Sequence, residues 1–250
     1  MHTRPRPGHL VGALLLGLVT AGCGTQPAAG ADPYADARPP GASASTAAGP
    51  SSTAGRAATT DARPRIVILG DSLSAGYGLL ATQSYPALLQ QKLDQNGADW
   101  DVVNAGISGD TSAAGLDRLD WALQGNVRIL ILELGANDGL RGLPVDQMQR
   151  NLGQIIARAQ QRGIAVLLAG MEAPPNYGPQ YTASFRKVYR DLAAQYHVPL
   201  IPFLLDRVAG ISSLNQSDGI HPNPQGARIV ADTVWTSLEP LLAAARPTHD

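Results

Sequence analysis

Five runs of apolar, largely β-branched residues recur along this chain: RIVIL (65–69), DVVNA (101–105), VRILILEL (127–134), IAVLLAG (164–170) and the short VPLI (198–201). Runs without polar alternation are expected for strands covered on both faces, as in a parallel sheet. The segments between them have helical spacing. SYPALLQQKLDQNG sets Leu88, Leu89 and Leu93 on one face and stops at Gly97. PVDQMQRNLGQIIARAQQRG places Pro144 in a first turn and stops at Gly163. YTASFRKVYRDLAAQYH and NPQGARIVADTVWTSLEPLLAA continue the series, and TSAAGLDRLDWALQ fits it least well. Strand–helix alternation through five strands predicts one doubly wound α/β domain.

Composition decides where that domain begins. Residues 24–63 are nearly all Ala, Gly, Pro, Ser and Thr, with one aromatic, Tyr34, and no Leu, Ile, Val, Phe or Met. Such a stretch cannot bury enough apolar surface to offset the entropy of ordering it, so residues 23–63 read as a disordered tether. Residues 64–250 are then the folded domain, long enough for a sizeable core. Residues 1–22 carry Arg4 and Arg6, an apolar run from Leu10 to Val19 and then small residues, the layout of a secretory signal. The run is short for a membrane span, which needs about 20 residues. Thr20-Ala21-Gly22 leads into the only cysteine, Cys23. This resembles the lipobox of bacterial lipoproteins, with Thr20 where leucine is commonest. The expectation is a lipoprotein-type signal, lipidation at Cys23 and an anchor on the periplasmic face of the outer membrane in a Gram-negative bacterium. The alternative is an ordinary signal cut after Ala21 and a soluble periplasmic chain. A single cysteine allows no internal disulfide. The formal net charge of −1 becomes −3 when Arg4 and Arg6 leave with the signal. There is no basic patch for nucleic acid.

Ligands of doubly wound sheets gather at the carboxyl ends of the strands. There this sequence has GDSLS, NAGISGDTS, LGANDGLRG and GMEAPPNYG, with a fifth polar loop, NQSDGIHPNPQG, before the last helix. One such loop would mean little, because these are ordinary turn residues. Acyl transfer needs a nucleophile, a base, a group to orient the base and donors for the oxyanion. Past the signal there are three histidines. His249 lies in the final tail, and His197 follows a helix as a C-terminal cap. His221 stands three residues after Asp218, a spacing that in a tight turn brings a carboxylate to the imidazole Nδ1. Ser72 closes the first strand. Glu133, inside an apolar strand, reads as a buried, paired carboxylate. Asp71 and Asp110 read as braces for their loops. No cluster at ligand spacing points to a metal, and no cofactor motif is present.

The blocks GDSLSAGYG, NAGISGDTS, ELGANDGLRG and DGIHPN resemble, in order and spacing, those of the SGNH (GDSL) hydrolase family, over residues 65–243. Within it the chain is similar to the bacterial thioesterase I / protease I / lysophospholipase group. The resemblance implies a flavodoxin-like sheet order and a serine hydrolase acting on esters and thioesters through an acyl-serine. It puts the nucleophile on Ser72, the Asp/His pair on Asp218 and His221, and the oxyanion donors on Ser72, Gly109 and Asn137. One departure is visible: Ala136 stands where this group has a second glycine, which predicts a slight shift of that loop. MEAPPNYG and DGLRGLP are expected to flank an acyl groove.

Three other readings stay open at this level. One is a carbohydrate O-deacetylase on the same fold. Another is a non-catalytic lipoprotein that binds lipid or glycan, against which an intact Ser72, Asp218 and His221 argue. The third is an interaction lipoprotein using the domain as a spacer. The expected partners are small acyl esters or thioesters and, through Cys23, a membrane. A monomer is expected.

Overall fold

The computed structural model describes residues 63–245. The expected signal (1–22), Cys23, the tether up to residue 62 and His249 lie outside these residues.

All five apolar runs are strands. They are β1 (Arg65–Gly70), β2 (Asp101–Gly106), β3 (Val127–Glu133), β4 (Ala165–Ala169) and β5 (Leu200–Ile201). They pair in parallel in the order β2-β1-β3-β4-β5. This is the flavodoxin-like winding, whose direction reverses between β1 and β3. Ile66 to Leu69 of β1 and Ile129 to Leu132 of β3 are all buried, as continuous apolar strands in mid-sheet should be. The edge strand β2 departs from that expectation: Val102 and Val103 are half-buried and Asn104 is exposed, because no strand among the described residues pairs with its outer side. Each fully buried Leu or Ile in the central strands is worth about 1.5–3 kcal/mol.

The helices between the strands are α1 (Ser72–Ala75), α2 (Tyr85–Gln95), α3 (Ser112–Asp117), α4 (Leu119–Ala122), α5 (Ala136–Leu140), α6 (Val145–Gln161), α7 (Pro179–Tyr196) and α8 (Pro224–Ala244). In α2 the buried face is Tyr85, Pro86, Leu89 and Leu93, with Leu88 on its flank. Pro144 caps α6 from just outside, and α7 starts at Pro179, where a missing N–H costs nothing. The weakly periodic 111–124 segment is two short helices that break at Arg118, whose guanidinium turns inward to the sheet edge. α2 packs with α8, while α3 and α7 flank α6, so two helical groups cover the sheet.

The register aligns Gly70 of β1 with Gly106 of β2 on one side and Glu133 of β3 on the other. This row is the carboxyl edge of the sheet, and the polar loops leave from it.

Candidate active site

At the end of β1 the chain turns straight into α1. Asp71 caps that helix, its Oδ1 accepting the Leu73 N–H at 3.0 Å. Ser72 is the first helical residue. Gly76 closes the helix at φ +73°, in the left-handed region that glycine enters without strain. The turn sits so tightly on the sheet that a Cβ on Gly106 would collide with the Ala75 backbone nitrogen, and one on Gly70 with the Ser74 hydroxyl and the Glu133 carboxyl. The small residues around Ser72 therefore let a helix rest directly on strand ends.

The histidine arrives from the far end of the chain. Asp218 Oδ1 accepts the backbone N–H groups of Ile220, at 2.9 Å, and His221, at 3.0 Å. Its Oδ2 lies 2.7 Å from His221 Nδ1. These three donors, the backbone pair foremost, hold the Asp218 carboxyl down to about 2, so it is ionised at neutral pH. Across the ring, His221 Nε2 is 2.8 Å from Ser72 Oγ. An imidazole with its proton on Nδ1 donates to Asp218 and leaves Nε2 to accept from the serine.

Gly109 and Asn137 come to the same cleft from β2 and β3. It has a volume of about 310 Å³, and Ser72, Gly109, Asn137 and His221 all line it. Gly109 is at φ +88°. The Asn137 amide nitrogen donates to Asp71 Oδ2 at 3.1 Å and to the Asp110 carbonyl at 3.0 Å. The amide thus ties the three loops together, and an oxyanion in the cleft would share a nitrogen already in use. Leu140, Met171, Leu205 and Ile220 give the cleft apolar walls, and the first two come from the DGLRG and MEAPPNYG segments. Ala136 opens α5 in ordinary helical backbone and lines the cleft, so its methyl is accommodated. The preceding Gly135, at φ +113°, has no such room because a Cβ would strike the Tyr189 hydroxyl.

The braces are partly those expected. Asp110 pairs with Arg118 Nε at 2.6 Å, both side chains largely buried. The same guanidinium donates to the carbonyls of Ala105 (2.7 Å) and Gly70 (2.9 Å), fastening two strand ends to the Gly109 loop. Asp138 accepts from the Ser112 N–H (2.8 Å) and hydroxyl (2.6 Å), and Asn151 backs that hydroxyl at 3.0 Å. Glu133 is fully buried, and its Oε2 accepts the Asp71 N–H at 3.3 Å. Burial, then the Asp71 charge, push the Glu133 carboxyl well up, and burial pushes Asp71 up to about 6. Arg118, Asp138 and Gln216, whose amide reaches Tyr77, carry no local sequence signal, because their partners are far away in the chain. His197 ends α7 in left-handed backbone at φ 53° and takes no part. Among the described residues no group of three or more His, Cys, Asp or Glu is placed to hold a metal ion. No helix among them is long and apolar enough to cross a membrane.

The profile of the GDSL-like lipase/acylhydrolase family matches residues 68–229, which hold every site element just described. The chain belongs to that family. It is similar to esterase TesA of Pseudomonas aeruginosa, at 45% identity over 182 residues, 72% of this chain and 90% of that one. It is also similar to the thioesterase 1/protease 1/lysophospholipase L1 of Escherichia coli, at 42% over 188 residues, 75% of this chain and 88% of the other. Among solved structures, the psychrotrophic esterase EstA of Pseudoalteromonas sp., inhibited by monoethylphosphonate, superposes with a TM-score of 0.69 at 39% identity, covering 72% of this chain and 98% of that one. The expected fold and family are therefore those found.

Proposed function

We propose that this chain hydrolyses carboxylic esters and thioesters through an acyl-serine formed on Ser72. The observation that carries the reading is the unbroken contact Asp218–His221–Ser72, at 2.7 and 2.8 Å, opening into a cleft with apolar walls. His221 Nε2 takes the hydroxyl proton as Ser72 Oγ attacks the acyl carbon. Asp218 holds the ring in the required tautomer and stabilises the imidazolium. The carbonyl oxygen becomes an oxyanion, met by the N–H groups of Ser72 and Gly109 and the Asn137 amide. His221 then gives its proton to the departing alcohol or thiol. Water, deprotonated in turn by His221, releases the acid and restores Ser72. The esterase, thioesterase and lysophospholipase names of the relatives support this class of substrate.

The test pairs p-nitrophenyl esters and acyl-CoA thioesters with a p-nitrophenyl alkylphosphonate that traps a reactive serine. Mass spectrometry should find the phosphonyl group on Ser72, and Ser72→Ala should remove both labelling and turnover while keeping its circular dichroism. A folded Ser72→Ala chain that still turns over esters would overturn the assignment. Activity confined to acetylated glycans would replace it with a carbohydrate O-deacetylase.

We further propose that Cys23 is lipidated and the domain is displayed, as a monomer, at the periplasmic face of the outer membrane. The support is the basic, apolar, small-residue order of residues 4–23 and the Ala/Gly/Pro/Ser/Thr composition of 24–63, which would give an anchored domain reach.

A further inference from the structure

Ser72 and His221 are 149 residues apart, on segments that leave the sheet separately. Something must hold the turn carrying His221 over the helix carrying Ser72. Among the described residues, two side-chain hydrogen bonds join residues 72–78 to residues 215–222. One is the Ser72–His221 contact itself. In the other, Gln216 Nε2 donates to the Tyr77 carbonyl at 2.7 Å. The same nitrogen donates to the Pro222 carbonyl, beside the histidine, at 3.0 Å. Tyr77 is in turn tied to the nucleophile, since its N–H donates to the Ser72 carbonyl at 3.0 Å. Its ring lies against the imidazole, with centroids 4.7 Å apart. The next residue is Gly78, at φ +73°, and a Cβ there would collide with Gln216 Oε1. The glycine lets the amide come in.

We infer that Gln216 is a positioning residue, a two-pronged amide that sets His221 Nε2 against Ser72 Oγ by bridging Tyr77 and Pro222. This rests on the catalytic reading of Ser72 and His221. The chemistry requires an amide: both acceptors are carbonyls, so the bridging atom must supply two hydrogens, and a carboxylate of the same shape supplies none.

The turn does not need this side chain to keep its own form. Its backbone is closed by Gln216 N–H to the His221 carbonyl at 2.8 Å, Gly219 N–H to the Gln216 carbonyl at 3.0 Å and Asn223 N–H to the Leu214 carbonyl at 2.9 Å. Asn215 anchors it to the Val208 and Ile211 carbonyls at 2.7 and 2.8 Å. The Asp218–His221 pair lies wholly within it. Losing the Gln216 amide should therefore release the turn as a unit, keeping Asp218 on His221 but loosening His221 from Ser72. Misplacement of a reacting group by about 1 Å can cost about 10²-fold in rate.

The experiment uses Gln216→Met, which keeps length and bulk, and Gln216→Glu, which keeps shape. Each is compared with wild type in four readouts: kcat and KM on a short-chain p-nitrophenyl ester, the phosphonylation rate of Ser72, the acid limb of the pH profile, and thermal melting. The expected result is a drop of about 10- to 100-fold in kcat and in phosphonylation rate in both variants, with KM, acid limb and melting temperature close to wild type in the neutral Gln216→Met. Wild-type rates in either variant would overturn the clamp while leaving the catalytic reading intact. A loss that only follows a collapsed melting temperature would make Gln216 merely structural and overturn it too. Wild-type protein that takes no phosphonyl group on Ser72 would overturn the catalytic reading, and the clamp with it.

Discussion

Glu133 shows how one buried residue links stability to pH. Desolvation, then the Asp71 charge, hold its carboxyl well above the usual carboxylate range in the folded chain, whereas an unfolded glutamate ionises near pH ~4.3. The folded state thus holds a proton that the unfolded state gives up. The stability tied to it is complete below the unfolded value and is lost as pH rises toward the folded one. Glu133→Gln cannot ionise in either state. Its melting temperature should therefore gain on wild type as pH goes from about 4 to 8, because each tenfold difference in proton affinity between the folded and unfolded chains is worth about 1.4 kcal/mol. A gap that does not change with pH would mean an ionised Glu133. Asp218 has the opposite sign: donors lower it to about 2, so what it contributes is present above the unfolded value and lost only as pH falls toward 2. Asp218→Asn would present an NH2 to His221 Nδ1, impose the wrong tautomer and lower kcat by up to about 10⁴. Asn137→Ala should lower kcat by about 10²–10³, the usual loss for one oxyanion donor. It should also lower the melting temperature, because Asp71 Oδ2 and the Asp110 carbonyl lose their donor. Unchanged kcat in a variant still folded at assay temperature would confine Asn137 to loop bracing.

At the level of elements, the decisive contact is α1 seated on the ends of β1 and β2. Gly106 faces the Ala75 backbone, which cannot swing aside as a long side chain could. Gly106→Ala should therefore cost about 1–3 kcal/mol, as overpacking does, read as roughly 2–4 °C of melting temperature per kcal/mol. Gly97, with open space around its Cβ position but φ +64°, is the control in which backbone strain alone is felt. The break between α3 and α4 has its own consequence. Arg118→Ala leaves a largely buried Asp110 carboxylate without its cation, while the Gly70 carbonyl keeps the Ile107 N–H, and breaking such a pair costs about 3–5 kcal/mol. Urea melts give the size of the effect, and a wild-type midpoint would show the ion pair to be idle.

Over the whole molecule, the order β2-β1-β3-β4-β5 puts the reversal of winding between β1 and β3. The loops after β1, β2 and β3 then open at one place, and the turn before α8 is laid across it. Every residue lining the cleft lies between Asp71 and His221, so the proposed anchoring at Cys23 and the proposed catalysis should be separable. Cys23→Ala should abolish incorporation of labelled fatty acid and release the protein from membranes, with kcat/KM unchanged. Full-length wild-type protein that takes up no label and remains soluble would end the lipoprotein proposal and leave the enzyme untouched.

What the sequence determined by itself was what is local. Continuous apolar runs specify central strands within a few residues, and the Asp218-x-x-His221 spacing allows the contact within one turn, though only Ser72 and the family blocks gave that pair a role. The crowding of the turn at Ser72, where Gly70 and Gly106 admit no Cβ, was visible only in the structure. The convergence of Ser72, Gly109, Asn137 and His221 was legible only through the order of the four family blocks, since no periodicity says which strand ends are neighbours. The tertiary structure alone decided the rest: Arg118 reaching Gly70 across 48 residues, Glu133 meeting Asp71 across 62, and Gln216 bonding Tyr77 across 139. Each partner is brought near by strand order and crossover path, which are settled by the packing of the whole chain. A lone Gln or Arg has the same local surroundings whether it faces water or holds a catalytic base in place.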